Sequence, residues 1–279
     1  MKNLKPYDLP SIGFYEELVL TKKNSVKNPD FKTRLVSYKA NIGLNFTQYD
    51  TYYVDNNLTS MIPSDFNAQQ KTDILSLYSY SNSAISKLKI KLTTSEYNRV
   101  ENTCQNCTIG EVSSFDHYLP KDEFPEFSVH PKNLIPSCSK CNGKKSINWR
   151  NGLNSLFLNL YLDVLPDIQY LFVVVDQTLD FTFIIENRNH INTDLFSIIE
   201  SHFVKLDLTK RFKENSNKVV SELINSINST KNKLPRAEII NSVIETENSN
   251  KVLYGSSYWQ SVLKIALVQN NEFMDSFYI

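Results

Sequence analysis

The chain has 279 residues, 41% of them hydrophobic, enough to bury a substantial core. Its 30 Lys and Arg balance 30 Asp and Glu, so it lacks the basic surplus of a protein that grips nucleic acid tightly through phosphates along its whole surface; a basic surface must be local or supplied by a partner. No run approaches the ~18 apolar residues of a membrane-crossing helix.

The start, Met1-Lys2-Asn3-Leu4-Lys5-Pro6, lacks the apolar stretch of a secretion signal, and a cytoplasmic protein with no membrane contact is expected. The pattern predicts an α+β chain in three regions. Residues 1–98 form a mostly helical N-terminal region, in which Leu75, Tyr78, Ile85, Leu88 and Leu92 recur at helical spacings as one apolar face. The density of Tyr and Phe there is expected to serve packing; the sharper reading is a surface for bases or a partner. Residues 99–150 hold all four cysteines and little amphipathic pattern.

Residues 151–279 read as mixed α/β, with no recognisable catalytic spacing. Leu153 to Leu165 is helical in pattern. Tyr170 to Val175 and Phe181 to Ile185 are β-rich runs flanking Asp176-Gln177-Thr178-Leu179-Asp180, which predicts a hairpin. Leu195 to Asn228 reads as helix, 229–250 as a loop or broken helix containing Pro235, and a last helix is expected near Tyr258 to Phe277.

The cysteines come as Cys104-Gln105-Asn106-Cys107 and Cys138-Ser139-Lys140-Cys141. Two residues between cysteines let both thiolates reach one ion from a tight turn, and two such turns complete the tetrahedral sulfur shell that zinc favours. A structural Zn2+ with no open position is therefore expected. The competing readings are a redox dithiol, which calls for one reactive pair near a βαβ pattern, and a frame that has lost its metal.

Between the pairs lie Phe115-Asp116-His117-Tyr118-Leu119-Pro120-Lys121 and Asn133-Leu134-Ile135-Pro136-Ser137-Cys138, and the second pair runs into Cys141-Asn142-Gly143-Lys144-Lys145. An Asp-His-x-x-Pro step after a first C-x2-C, then Asn-Leu-x-Pro-x-C-x2-C-Asn-x-x-Lys, resembles the HNH endonuclease family in its zinc-ribbon form. The resemblance spans residues 104–145 and implies a zinc-stapled ββα-metal module. It implies His117 as general base, Asp116 as a ligand of a catalytic divalent ion, and Asn133 as the brace of the loop that aims the base. At the third signature position many members have His where this chain has Asn142, an H-N-N variant. With Asp116, Asn142 would make an oxygen-rich site suited to Mg2+ or Mn2+. Lys144 or Lys145, beside this helix start, is a weaker candidate for phosphate contact.

Each assignment has a plainer alternative: a structural histidine for His117, a turn carboxylate for Asp116, a helix cap for Asn142 and a turn residue for Asn133. His130 is expected to be an ordinary loop histidine, and His190 and His202 structural or surface residues. The acidic insert Asp122 to Phe127 is expected as a hairpin loop beside the DNA path. The resemblance implies hydrolysis of DNA to a 5′-phosphate and a 3′-hydroxyl. The layout is also similar to the nuclease subunits of two-gene phage-defence systems such as Septu, which pair with an ATPase. The alternatives are a catalytically inactive zinc-stabilised module that binds nucleic acid or protein, and an RNase using the same residues.

Overall fold

The computed structural model describes residues 1–94 and 98–278, a mixture of helices and small two-stranded sheets. The expected N-terminal helical region includes residues 95–97, which lie outside the described residues. The chain divides into two compact units: one made of most of residues 3–164, the other of residues 165–279 with two short stretches of the earlier chain.

In the first unit, α1 (Ser11–Thr21) packs on α2 (Phe31–Val54). Phe14, Tyr15 and Leu18 from α1 and Leu35, Ile42, Phe46 and Tyr49 from α2 are buried at helical spacing. A capping box at Asn67 and Gln70 opens α3 (Ala68–Leu75). Arg34 on α2 clamps the buried Asp73 carboxylate on α3 through two bonds of 2.7 and 2.9 Å. The chain turns after α3, and Asn82 caps the start of α4 (Ser83–Thr93). Of the single apolar face expected from Leu75 to Leu92, only Ile85, Leu88 and Leu92 therefore share a helix, all three buried.

β1 (Ser114–His117) pairs antiparallel with β2 (Leu134–Ser137), placing His117 opposite Leu134 and Asp116 opposite Ile135. The helix α5 (Ser139–Lys145) follows β2 directly and packs on β1. The expected helix over Leu153 to Leu165 is absent. A short hairpin of β3 (Arg150–Asn151) and β4 (Asn154–Ser155) turns at Gly152, at φ +60°, where a side chain would be strained. Beyond it, Asp163 Oδ2 accepts from Asn159 N and Asn159 Oδ1 accepts from Tyr161 N. Side chains thus satisfy backbone groups that a helix would otherwise pair.

The second unit contains the expected hairpin, β5 (Leu171–Val175) and β6 (Phe181–Ile185). Its turn is organised by Asp176, whose Oδ1 accepts from the backbone N–H groups of Thr178 and Asp180. The single helix expected from Leu195 to Asn228 is three: α6 (Thr193–Lys205), α7 (Leu208–Glu214) and α8 (Asn217–Thr230). Asp207 interrupts it in the left-handed conformation, φ +51°. The stretch expected as a loop is mostly α9 (Arg236–Tyr254), followed by α10 (Trp259–Gln269) and α11 (Asn271–Asp275). Pro235 stands just before the first residue of α9, where its missing N–H leaves no helical bond unmade. Phe183, Phe212 and Trp259 form the aromatic centre of this unit. Among the described residues no helix is long and apolar enough to cross a membrane.

His130, expected as a loop residue, is fully buried in the first unit between Tyr49 and Phe46, with ring centroids 4.1 and 4.5 Å away. Burial holds its pKa well below the ordinary 6.5. The folded chain therefore refuses a proton that the unfolded chain accepts below about pH 6.5, so this share of stability is present above that pH and is lost as the pH falls. In urea titrations, the stability advantage of wild type over His130→Leu is expected to shrink below pH 6.5 by up to about 1.4 kcal/mol per pH unit. An advantage that does not vary with pH would contradict a neutral buried imidazole.

Candidate active site

The first cysteine pair sits in a tight loop. The Cys104 N–H donates to the Gly110 carbonyl at 2.8 Å, and Thr103 bridges Glu111 at the loop's neck. Thr108 adopts a positive φ of 51° within it. A Cβ on Gly110 would lie 3.1 Å from Cys138 Cβ and 3.2 Å from its sulfur, so glycine lets the two knuckles approach. At the second pair, Cys138 occupies the N-cap of α5 and its Sγ accepts from Cys141 N at 3.4 Å. The four sulfurs are buried, form no disulfide and lie within 4.8 Å of one another. A tetrahedral zinc–thiolate shell has Zn–S distances of about 2.3 Å, within reach of these thiols by small side-chain rotations. Four soft donors and no oxygen donor among them fit a closed structural zinc site.

β1 carries Asp116 and His117 out of the sheet on opposite faces, as strand alternation dictates. On one side Asp116 meets α5: Lys145 Nζ lies 3.2 Å from its Oδ1 and donates to the His117 carbonyl at 2.6 Å. Both side chains are buried. Burial pushes the Asp116 carboxyl up, and the Lys145 ammonium opposes that shift. Asn142, also on α5, donates from its amide nitrogen to Ser114 Oγ at 3.2 Å and approaches the Phe115 carbonyl at 3.5 Å. Those bonds use the nitrogen and leave the amide oxygen available as a donor atom. Asn142 lies inside the helix, so it is not the cap; Cys138 fills that role.

The imidazole of His117 faces other neighbours. Its Nε2 lies 2.9 Å from the Ser128 carbonyl, and its ring meets Tyr78 edge-on at 4.5 Å. A carbonyl only accepts, so Nε2 carries the proton and Nδ1 keeps the lone pair. Burial lowers the His117 pKa to about 3, with Lys121 and Lys145 adding to the fall. The near-neutral pKa expected for His117 is therefore not what burial gives: the ring is neutral at physiological pH.

Asn133 is fully buried and spends its whole amide on the loop after β1. Its Oδ1 accepts from Leu119 N at 2.7 Å, and its Nδ2 donates to the Leu119 and Phe127 carbonyls at 3.0 Å each. Phe127 adjoins Ser128, the partner of His117. The structure thus gathers Asp116, Asn142 and Lys145 on the α5 side of β1, and His117, Ser128 and Tyr78 on the other, with Asn133 under the loop.

Lys145 does not present its ammonium to solvent as expected for a phosphate contact; it is buried against Asp116. Lys144 is half-buried. The acidic insert lies in the connection of the β1–β2 hairpin, as expected, but it is folded in: Pro125–Phe127 is a 3-10 turn, and the buried Glu126 accepts from Ser64 N at 2.7 Å. Sequence reasoning missed Tyr78 and Ser128. Nothing local marks Ser128, which acts through its carbonyl, and Tyr78 carries the spacing of a packing residue.

Two outcomes follow from these contacts. Purified protein is expected to carry one zinc per chain by elemental analysis, and Cys138→Ser to lose both the zinc and the folded start of α5. Asn133→Ala leaves the buried Leu119 N–H and carbonyl without their partner and takes one of two donors from the Phe127 carbonyl, and should lower stability by at least about 2 kcal/mol in chemical denaturation. A change within about 0.5 kcal/mol, the size of an ordinary surface substitution, would remove Asn133 from the role of brace.

Two curated proteins share partial similarity with this chain. Septu protein PtuB of Bacillus thuringiensis is 40% identical over 67 residues, 23% of this chain and 26% of that protein. Protein ea31 of Escherichia phage lambda is 52% identical over 40 residues, 14% of each. The matched stretches span about a quarter of the first relative and about a seventh of the second. No protein-family profile matches the chain, and no solved structure does.

Proposed function

We propose that this chain is a metal-dependent HNH-type endonuclease that hydrolyses DNA phosphodiester bonds in anti-phage defence, working in the cytoplasm with an ATPase partner. The partial similarity to Septu protein PtuB and the four-cysteine cluster support a Septu-like setting. The observation that carries the chemistry is the fixed tautomer of His117. Its protonated Nε2 is tied to the Ser128 carbonyl, which leaves Nδ1 as the unprotonated nitrogen of a ring fixed at the end of β1.

In this reading His117 takes a proton from the attacking water, which requires the end of β1 to turn so that the imidazole, now on the Ser128 and Tyr78 side, serves the same phosphate as Asp116 and Asn142. Asp116 and the amide oxygen of Asn142 would hold the catalytic ion, Mg2+ or Mn2+. Such an ion supplies Lewis-acid polarisation of the phosphate and relief of charge on the departing 3′ oxygen. The donor set fits: Asp116 is a buried carboxylate that already attracts a cationic group, and both donors are hard oxygens. Asn133 holds the loop that orients His117. The balanced charge of the chain fits a nuclease whose hold on DNA is shared with a partner.

A second reading is a zinc-stabilised binding module without turnover. It is favoured by two observations, the commitment of Asp116 to Lys145 and the placement of the His117 imidazole against Ser128 and Tyr78, away from Asp116 and Asn142. The two readings separate in one assay. With Mg2+ or Mn2+, purified wild type is expected to nick plasmid DNA, with RNA as the competing substrate, and His117→Ala should lose at least about 100-fold of that rate while keeping its zinc and its melting curve. Equal cutting by both proteins would remove His117 as the base; DNA binding with no cutting by either would favour the binding module, and preferential cutting of RNA would make the enzyme an RNase.

A further inference from the structure

We infer that Lys145 is a tethered counter-ion which occupies the cation seat at Asp116 and must leave it for a divalent ion to bind. The inference rests on the reading of Asp116 as a cation ligand and adds the residue that controls it. Three observations support it. First, Asp116 and Lys145 are both buried, and the ammonium lies 3.2 Å from the carboxylate. A carboxylate withdrawn from water needs a cation or a proton, and here the chain supplies the cation itself.

Second, the Lys145 ammonium is held at two points. It donates to the His117 carbonyl at 2.6 Å as well as approaching Asp116, so it is seated between the two residues of the Asp-His step. Third, Lys145 and Asn142 ride on the same face of α5, three residues apart. An ion sharing Asp116 and Asn142 would therefore sit beside the ammonium, and two positive charges in one low-dielectric seat repel strongly. Lys145 thus weakens divalent binding in the resting chain. Once released, its four-carbon stem carries the charge to the mouth of the site, where phosphate oxygens would arrive. Metal occupancy and exposure of a phosphate-seeking lysine become one event.

The test uses the full zinc-loaded chain. Mn2+ affinity is read by electron paramagnetic resonance in wild type, Lys145→Met and Asp116→Asn, and acetylation of Lys145 in wild type is read by mass spectrometry with and without saturating Mg2+. Lys145→Met is expected to bind Mn2+ about tenfold more tightly, and Mg2+ should turn Lys145 from a protected to a reactive amine. If wild type binds Mn2+ but a folded Lys145→Met binds it no better, the inference is overturned. Continued protection of Lys145 under Mg2+ overturns it equally, and that measurement decides the matter should Lys145→Met fail to fold. If wild type and Asp116→Asn bind Mn2+ alike, the assignment of Asp116 as ligand fails as well, and this inference with it.

Discussion

The arrangement around β1 depends on a single buried amide. Asn133 lies where β2 begins, and its three hydrogen bonds fix the loop between the strands at both Leu119 and Phe127. The second attachment sets the Ser128 carbonyl, and that carbonyl sets the tautomer of His117. Tyr49 stands behind it, its hydroxyl 3.4 Å from the same Oδ1 and its ring against Phe127. A helix of the N-terminal region thus supports the loop through one contact in a chain of contacts. An amide buried with donor and acceptor both satisfied stabilises one geometry and penalises its neighbours, because any shift strands a polar group away from water.

α5 is the second support, and it could not stand alone. A helix of seven residues is too short to persist in water. Here it is pinned at its start by the Cys138 cap and the neighbouring thiols, and at its end by the pair of Lys145 with Asp116. The residues it delivers to β1 are therefore as well ordered as the cysteine cluster and the ion pair allow. The two faces of the strand are held by different means: hydrogen bonds around Asn133 for the imidazole, sulfur and charge for the carboxylate.

The parts of this fold that were legible in the sequence are those whose cause is local. The C-x2-C spacings put four thiols within reach of one another, and Asp176 between two β-rich runs gave a hairpin turned by its own carboxylate. The misreadings came from competition that spacing does not reveal. Pro235 looks like a break, yet it is the residue after which a 19-residue helix begins. Leu153 to Leu165 has helical periodicity, but Gly152 turns the chain and Asp163 binds the Asn159 N–H. Leu206 and Asp207 split one expected helix by a left-handed residue. At the site, the cysteines, Asp116, His117 and Asn133 stand out by residue type. The burial of Lys145 does not, because its partner lies 29 residues earlier and on another element.

The order in which these parts leave the ribosome matters. β1 and the first thiol pair are made after Tyr78 but before β2, the second pair and Lys145. A nascent polypeptide that ends short of residue 145 has an Asp116 without its ammonium and an unfinished sulfur shell. The surroundings of His117, made of Tyr78, Ser128 and the Asn133 brace, are thus complete in the growing chain before α5 closes the surroundings of Asp116.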